Sequence, residues 1–344
     1  SKDVEAIATL STNAIWGKAI MHEPNSAPDV ELLLHYLAVV ECASPAIMAA
    51  LVESPIADAL WQALAHQPGV TREHDKLVLS PTMAEQHLIA LERSDGQRYR
   101  QTHYKALDVL AQRLNEGESA LEASLFKLFR RLAEHLLAER GVGNIKALVI
   151  SAQQWLCTIE SNKLWLRYYQ GVSELEQGNY AAALSAFDEL LADGQGEQRI
   201  QDQRLWGSLL NARAYCYRIK GQLEDALQGY QASLQIWQAI GDEVSEGKCL
   251  LNMGTSAYYL QDYAAAEPWM RAAVALFEKH NMPVLLGAAQ NGMGLIRRDQ
   301  GRWDEAIRSF QSFIDQSMAR GAFDSVSIGL LNIGEVQLFQ GRIA

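Results

Sequence analysis

The chain is poor in the features that catalysis, secretion and nucleic-acid binding require. Its 344 residues include four cysteines, Cys42, Cys157, Cys216 and Cys249. They are scattered without metal-ligand or redox spacing, so reduced thiols in a cytoplasmic protein are expected. No apolar run approaches the roughly 20 residues of a membrane span, and the start does not read as a signal peptide. Eight histidines are dispersed, and neither a His-Glu-x-x-His nor a Gly-x-Ser-x-Gly motif occurs. The nearest approach to a phosphate-binding loop, Trp16-Gly17-Lys18-Ala19, lacks both the first glycine and the terminal hydroxyl. The sequence thus indicates no enzyme, no metal and no cofactor; a hydrolase would need a site assembled from residues far apart in the chain. A formal charge of −11 works against general nucleic-acid binding, because phosphates must be met by clustered Lys and Arg.

What the chain does have is apolar content, 49%, and a period. Ala214, Gly254, Gly294 and Gly334 recur every 40 residues. Nine positions later stands a bulky residue, Leu223, Tyr263, Trp303 or Ile343. Ala226, Ala266 and Ala306 follow, then Tyr230, Met270 and Phe310. Small residues where two helix backbones approach, and large ones where the gap must be filled, are what helix-on-helix contact demands. An earlier copy, Gly171, Tyr180, Ala183 and Phe187, lies 43 residues upstream of the next, with the extra residues expected in the polar loop Asp193-Gly194-Gln195-Gly196-Glu197.

This pattern resembles the tetratricopeptide (TPR) family. The resemblance implies an all-α fold, a right-handed TPR superhelix (α-solenoid) over residues 161–344. The usual unit is about 34 residues, so longer second helices are expected. Gly241, Asn281 and Gly321, each 27 residues after the small residue, are placed to cap those helices in the left-handed conformation. The fifth copy stops at its first helix. Its stripe of Leu330, Ile333 and Phe339 lacks the cover a solenoid end needs, so a longer parent protein and self-association through this end are expected.

The N-terminal third follows a different pattern. Residues 1–27 read as a helical segment and 28–93 as a small winged-helix-like domain. It comprises a helix from Asp29 to Val40, a second opened by Ser44-Pro45, and a third opened by Ser54-Pro55. A short β-hairpin follows, with Val70 and Leu77-Val78-Leu79 flanking Arg72-Glu73-His74-Asp75-Lys76, and a further helix begins after Ser80-Pro81. Between residues 28 and 92 only Arg72 and Lys76 oppose nine acids. The third helix, with Asp58, Trp61 and Gln62, carries no Arg or Lys, so packing against protein is expected rather than direct contact with DNA. Residues 94–160 read as a connector of degenerate helical hairpins. One helix runs from Ser119 to Arg140 and another from Ile145 to Glu160; Arg130, Arg131 and Arg140 form either a basic patch or a solvated face.

The succession "LLLHYLAVVE", "ALWQALAHQPGV", "KLVLSPTMAEQHLIAL" and "YRQTHYKALDVLAQRL" is similar to the segment that follows the nucleotide-binding domain in STAND signal-transduction ATPases. There a winged helix leads into a helical superstructure that relays sensor occupancy to an ATPase, which drives oligomerisation. Ser80 stands where many of these proteins carry a histidine near the nucleotide. The resemblance therefore implies that the ATPase lies outside this chain and that the chain alone binds no nucleotide. A free-standing TPR scaffold is the alternative.

In the TPR family, the first helix of each repeat lines the concave surface. The corresponding positions are Trp165, Tyr168 and Tyr169; Asn211, Tyr215 and Arg218; Lys248, Asn252, Thr255 and Tyr258; Asn291 and Arg298; and Asn332 and Glu335. Asn can pair with both groups of a peptide backbone, and Tyr gives contact area at low entropic cost. Arg218, Lys248 and Arg298 suit an acidic ligand. These residues therefore either hold a protein or peptide partner, or fill and bridge the interior of the superhelix. The Lys and Asn clamp of chaperone-tail adaptors is absent, since its places hold Tyr168 and Val172, or Asn211 and Tyr215.

Overall fold

The computed structural model describes residues 29–138, 142–153, 160–192 and 202–341. The expected N-terminal segment, the loop Asp193–Glu197, Cys157, Arg140 and Ile343 lie outside these. The chain divides into two compact units, one reaching Tyr169 and one beginning at Gln170.

The first unit opens with α1 (Val30–Val40), β1 (Cys42–Ala43), α2 (Pro45–Val52), α3 (Asp58–Ala65), β2 (Val70–Glu73) and β3 (Lys76–Leu79). Asp29 caps α1 by accepting the Leu32 amide at 2.8 Å, and Ser44 caps α2 through Ile47 at 3.3 Å. The sheet has the antiparallel order β1-β3-β2, with Cys42 opposite Val78 and Glu73 opposite Lys76. This is a winged-helix arrangement around Leu33, Leu37, Leu51, Leu64 and Leu77, all essentially inaccessible.

Two expectations are corrected here. The hairpin gains a third strand, β1, which at two residues is too short to leave a period-2 pattern. Ser54-Pro55 does not open α3. Glu53 takes a left-handed conformation (φ 53°), and the Ser54 amide donates to Ala49 O at 3.1 Å, so Ser54 closes α2 instead. Helices α4 (Pro81–Ser94), α5 (Gly96–Asn115), α6 (Glu122–Ala138) and α7 (Val142–Ala152) follow. Helix α7 begins earlier than expected and gives way to a turn at Gln153.

The second unit is periodic. After α8 (Glu160–Glu176), within which the division between units falls, come α9 (Tyr180–Leu191), α10 (Gln203–Ile219), α11 (Leu223–Ile240) and α12 (Glu243–Tyr259). The series continues with α13 (Tyr263–Lys279), α14 (Pro283–Asp299), α15 (Trp303–Met318) and α16 (Phe323–Phe339). First helices begin at residues 203, 243, 283 and 323, and second helices at 223, 263 and 303, so the 40-residue period holds to the residue. Gly241, Asn281 and Gly321 have φ of 71°, 52° and 67°, the left-handed caps the spacing implied.

The small residues work as sockets. A Cβ on Gly171 would come within 2.4 Å of the Phe187 ring, and one on Gly294 within 2.4 Å of Phe310. In the second repeat the small residue is Ala214, and the space is recovered on the other helix, where a Cβ on Gly229 would lie 2.9 Å from the Ala214 methyl. A further row of sockets escaped the sequence reading: Gly207, Gly247 and Gly287 receive Trp237, Phe277 and Phe313. Their own 40-residue spacing was the available signal.

Candidate ligand groove

First helices α10, α12 and α14 each touch the next first helix, the last of them α16, as well as the intervening second helix. Side chains on this layer are therefore placed to bridge repeats or to face a ligand, and the structure sorts the expected residues between these roles.

Two of the three aromatic residues of α8 do neither. Trp165 and Tyr169 are buried in the first unit. Their rings stack at 5.7 Å, Phe129 meets Tyr169 edge-on at 5.4 Å, and Tyr168 lies edge-on to both. The Arg130 guanidinium sits 3.8 Å over the Trp165 ring. Trp165 and Tyr169 pack against α6, while Tyr168 is half-buried beside them. The same contacts settle the arginines of that helix. Arg130 is held by Trp165 and Glu134, while Arg131 joins Lys127 on Glu41.

The asparagines bridge. Asn252 donates from Nδ2 to Asn211 Oδ1 at 3.2 Å, linking α10 to α12. Asn332 does the same to Asn291 at 2.9 Å, linking α14 to α16. The first pair continues inward. Cys249 Sγ lies 3.5 Å from Asn211 Oδ1 and 3.3 Å from Ser233 Oγ, which accepts from Trp237 Nε1 at 2.9 Å and donates to Gly207 O at 2.8 Å. Burial pushes the Cys249 thiol up to about 11, against the opposing effect of its Ser233 and Trp237 partners, so it stays a neutral donor. Thr255 spends its hydroxyl on Leu251 O at 2.8 Å.

A charged cluster joins three first helices. Arg298 reaches Asp299 at 2.7 Å and Glu335 at 2.7 Å, and its Nη2 lies 3.4 Å from the Tyr258 hydroxyl. Tyr258 in turn donates to Asp299 at 2.9 Å. Burial, reinforced by that hydrogen bond to Asp299, pushes the phenol up to about 12, so it remains a donor. Arg298, expected to meet a partner, is thus saturated by its own chain.

What faces outward is a smaller set. Lys248 is exposed, as is Tyr259 at 60%. Tyr215 and Arg218 are half-buried, with the Arg218 guanidinium 4.6 Å over the Tyr215 ring. Apolar Val284 and Leu331 are exposed at 56% and 65%. Among the described residues no group of His, Cys, Asp and Glu is placed to hold a metal ion, and no helix is long and apolar enough to cross a membrane.

Models of the tetratricopeptide repeat family match residues 207–279, and also 168–239 and 251–320; this stretch carries tetratricopeptide repeats. No curated protein sequence matches the chain significantly. Among solved structures, the chain is similar to a Signal Transduction ATPase with Numerous Domains (STAND) protein with a tetratricopeptide repeat sensor from Pyrococcus horikoshii. That likeness has 12% identity and a TM-score of 0.54, and covers 97% of this chain and 59% of the other. The chain therefore spans less than two thirds of that protein's length. BtubC from P. vanneervenii is 19% identical over 61% of this chain and 85% of its own, with a TM-score of 0.46. Aspartyl phosphate phosphatase F from Bacillus subtilis is 14% identical over 94% of this chain and 72% of its own, with a TM-score of 0.45. At these identities the fold is what is shared. Both resemblances read from the sequence, the repeats and the STAND arrangement, meet a match.

Proposed function

We propose that this chain is the partner-binding region of a larger STAND-type regulator and that the layer formed by α10, α12, α14 and α16 receives a peptide or protein. The observation that carries this reading is the division of labour within the layer. Asn211, Asn252, Asn291, Asn332, Arg298 and Glu335 lock consecutive first helices together, while Tyr215, Arg218, Lys248 and Tyr259 stay open beside them. A rigid row flanked by Tyr and cationic side chains costs little to order on binding, which is what gives a pre-formed groove its affinity. Occupancy would bias the first unit, and through it an ATPase outside this sequence.

The test is a selection of random 12-residue peptides displayed on phage against the chain, followed by fluorescence anisotropy of those enriched. Expected are peptides that bind the chain and lose at least tenfold in affinity to a Tyr215→Ala, Tyr259→Ala variant of unchanged thermal midpoint. Failure to enrich any peptide sinks the groove reading. In calorimetry the chain should show no saturable binding of ATP or ADP; micromolar binding would contradict the assignment of the nucleotide to another part of the protein.

A further inference from the structure

We infer that Arg218 is the anion-receiving point of the groove and that the partner is an acidic peptide presenting a carboxylate to it. This rests on the reading of the first-helix layer as a binding surface. The argument is an internal comparison, because Arg218 and Arg298 occupy the same repeat position two repeats apart.

Arg298 is closed by two carboxylates, Asp299 and Glu335, each at 2.7 Å. At the positions 80 residues earlier stand Ile219 and Thr255, one apolar and one with its hydroxyl already donated to Leu251 O. Arg218 therefore forms no ion pair among the described residues. It rests on the Tyr215 ring, and its Nε is buried without a hydrogen bond. Tyr230, close to it, is fully buried. Burial raises the Tyr230 phenol, while the Arg218 charge and a hydrogen-bonding interaction with Arg218 pull it back, so Tyr230 is a neutral polar neighbour of Arg218 and supplies no counter-charge. The fourth repeat has Phe310 at this position and leaves no such group.

The fourth repeat also shows what fills the place: a carboxylate oxygen within 3 Å of the guanidinium. A carboxylate would add a charge-assisted bond to Arg218, the strong class of hydrogen bond. The line leading to it suits an extended chain. Asn211, Tyr215 and Arg218 share one face of α10, at i, i+4 and i+7, over about 10 Å, or about three residues of extended peptide. Asn211 Oδ1 is taken by Asn252 and Cys249, which leaves its Nδ2 to donate to a peptide carbonyl.

The test uses the random 12-residue library and enriched peptides described above. Expected are peptides sharing one Asp or Glu, or a required C-terminal carboxylate; amidated copies distinguish the two sources. Arg218→Gln should weaken binding at least tenfold, and replacing the peptide's acid by its amide should cause no further loss in that variant. Arg218→Gln should leave the thermal midpoint unchanged or raised, whereas Arg298→Gln should lower it, and Arg218→Lys should restore part of the affinity. Peptides that bind without an acidic group, or bind Arg218→Gln equally well, overturn this inference and leave the groove reading standing. Failure to enrich any peptide overturns both.

Discussion

The two units are both mainly helical, yet they solve the problem of packing differently. In the second unit one solution is repeated: a small residue on the first helix, an aromatic or Met on the second, and a left-handed residue at each turn. Every copy restates the rule, so an error in one is visible against the others. In the first unit each contact occurs once. Lys127 and Arg131 converge on Glu41, the left-handed cap of α1. Tyr99 packs between His103 and His135 at 4.1 and 4.6 Å, and His135 meets Glu92 at 2.8 Å. The difference teaches where specificity resides. Repetition fixes geometry through shape, while the single-copy unit leans on buried polar groups whose partners cannot be inferred from spacing.

The largest effect that would break this contrast is expected at Gly294. Gly294→Ala should destabilise the second unit by up to about 3 kcal/mol, because the Phe310 ring is buried and has nowhere to retreat. Gly334→Ala, at the same repeat position but with nothing within 4 Å, should be neutral or gain up to about 1 kcal/mol from helix propensity. Urea denaturation of both variants measures this, and equal costs would mean that the sockets are not what sets the period.

In the first unit the corresponding weak point is a charge. His103 is fully buried and its Nδ1 donates to Tyr99 O at 2.8 Å. Burial lowers its pKa from 6.5 to about 3. With the folded value depressed, its contribution is fully present above about pH 6.5 and is lost as pH falls towards 3, amounting to about 2 kcal/mol at pH 5. Hydrogen exchange of the Gly96–Asn115 amides, corrected for intrinsic rates, should show this loss between pH 7 and 5, and His103→Leu should remove it. A pH-independent wild type would dismiss the role of His103.

A smaller effect tests whether the asparagines act as pairs. A double-mutant cycle of Asn291→Ala and Asn332→Ala should give a coupling of about 1 kcal/mol. Additive losses would mean that the two amides are independent. The smallest concerns Gln261, which holds a left-handed φ of 59° where Gly221 and Gly301 stand in neighbouring repeats. Gln261→Gly should raise stability by about 1 kcal/mol or less by relieving that strain; a loss would show that the side chain has a structural role.

Much of the architecture was legible because it follows from periodicity. The 40-residue spacing located every first helix from α10 to α16 and the caps at Gly241, Asn281 and Gly321. The candidate site was legible only in part. Position in the repeat identified Asn252 and Arg298 as belonging to one layer, but gave no means to tell a bridging amide or a paired guanidinium from a ligand contact. β1 was missed because two residues carry no pattern, and Ser54-Pro55 was misread because the same dipeptide serves to end a helix or to begin one.

By itself the sequence determined the repeat, the sockets and the turns, since these depend on side-chain volume and backbone conformation at fixed intervals, which composition and spacing state directly. Only the tertiary structure decided that Arg298 is closed by carboxylates and that Arg218, among the described residues, is not. Both are arginine at one repeat position, and what separates them is that Asp299 and Glu335 are brought alongside Arg298, whereas the corresponding positions for Arg218 hold Ile219 and Thr255. Electrostatic pairing acts over a few ångströms between residues up to 40 apart in the chain, so the availability of a charge becomes a property of the folded neighbourhood.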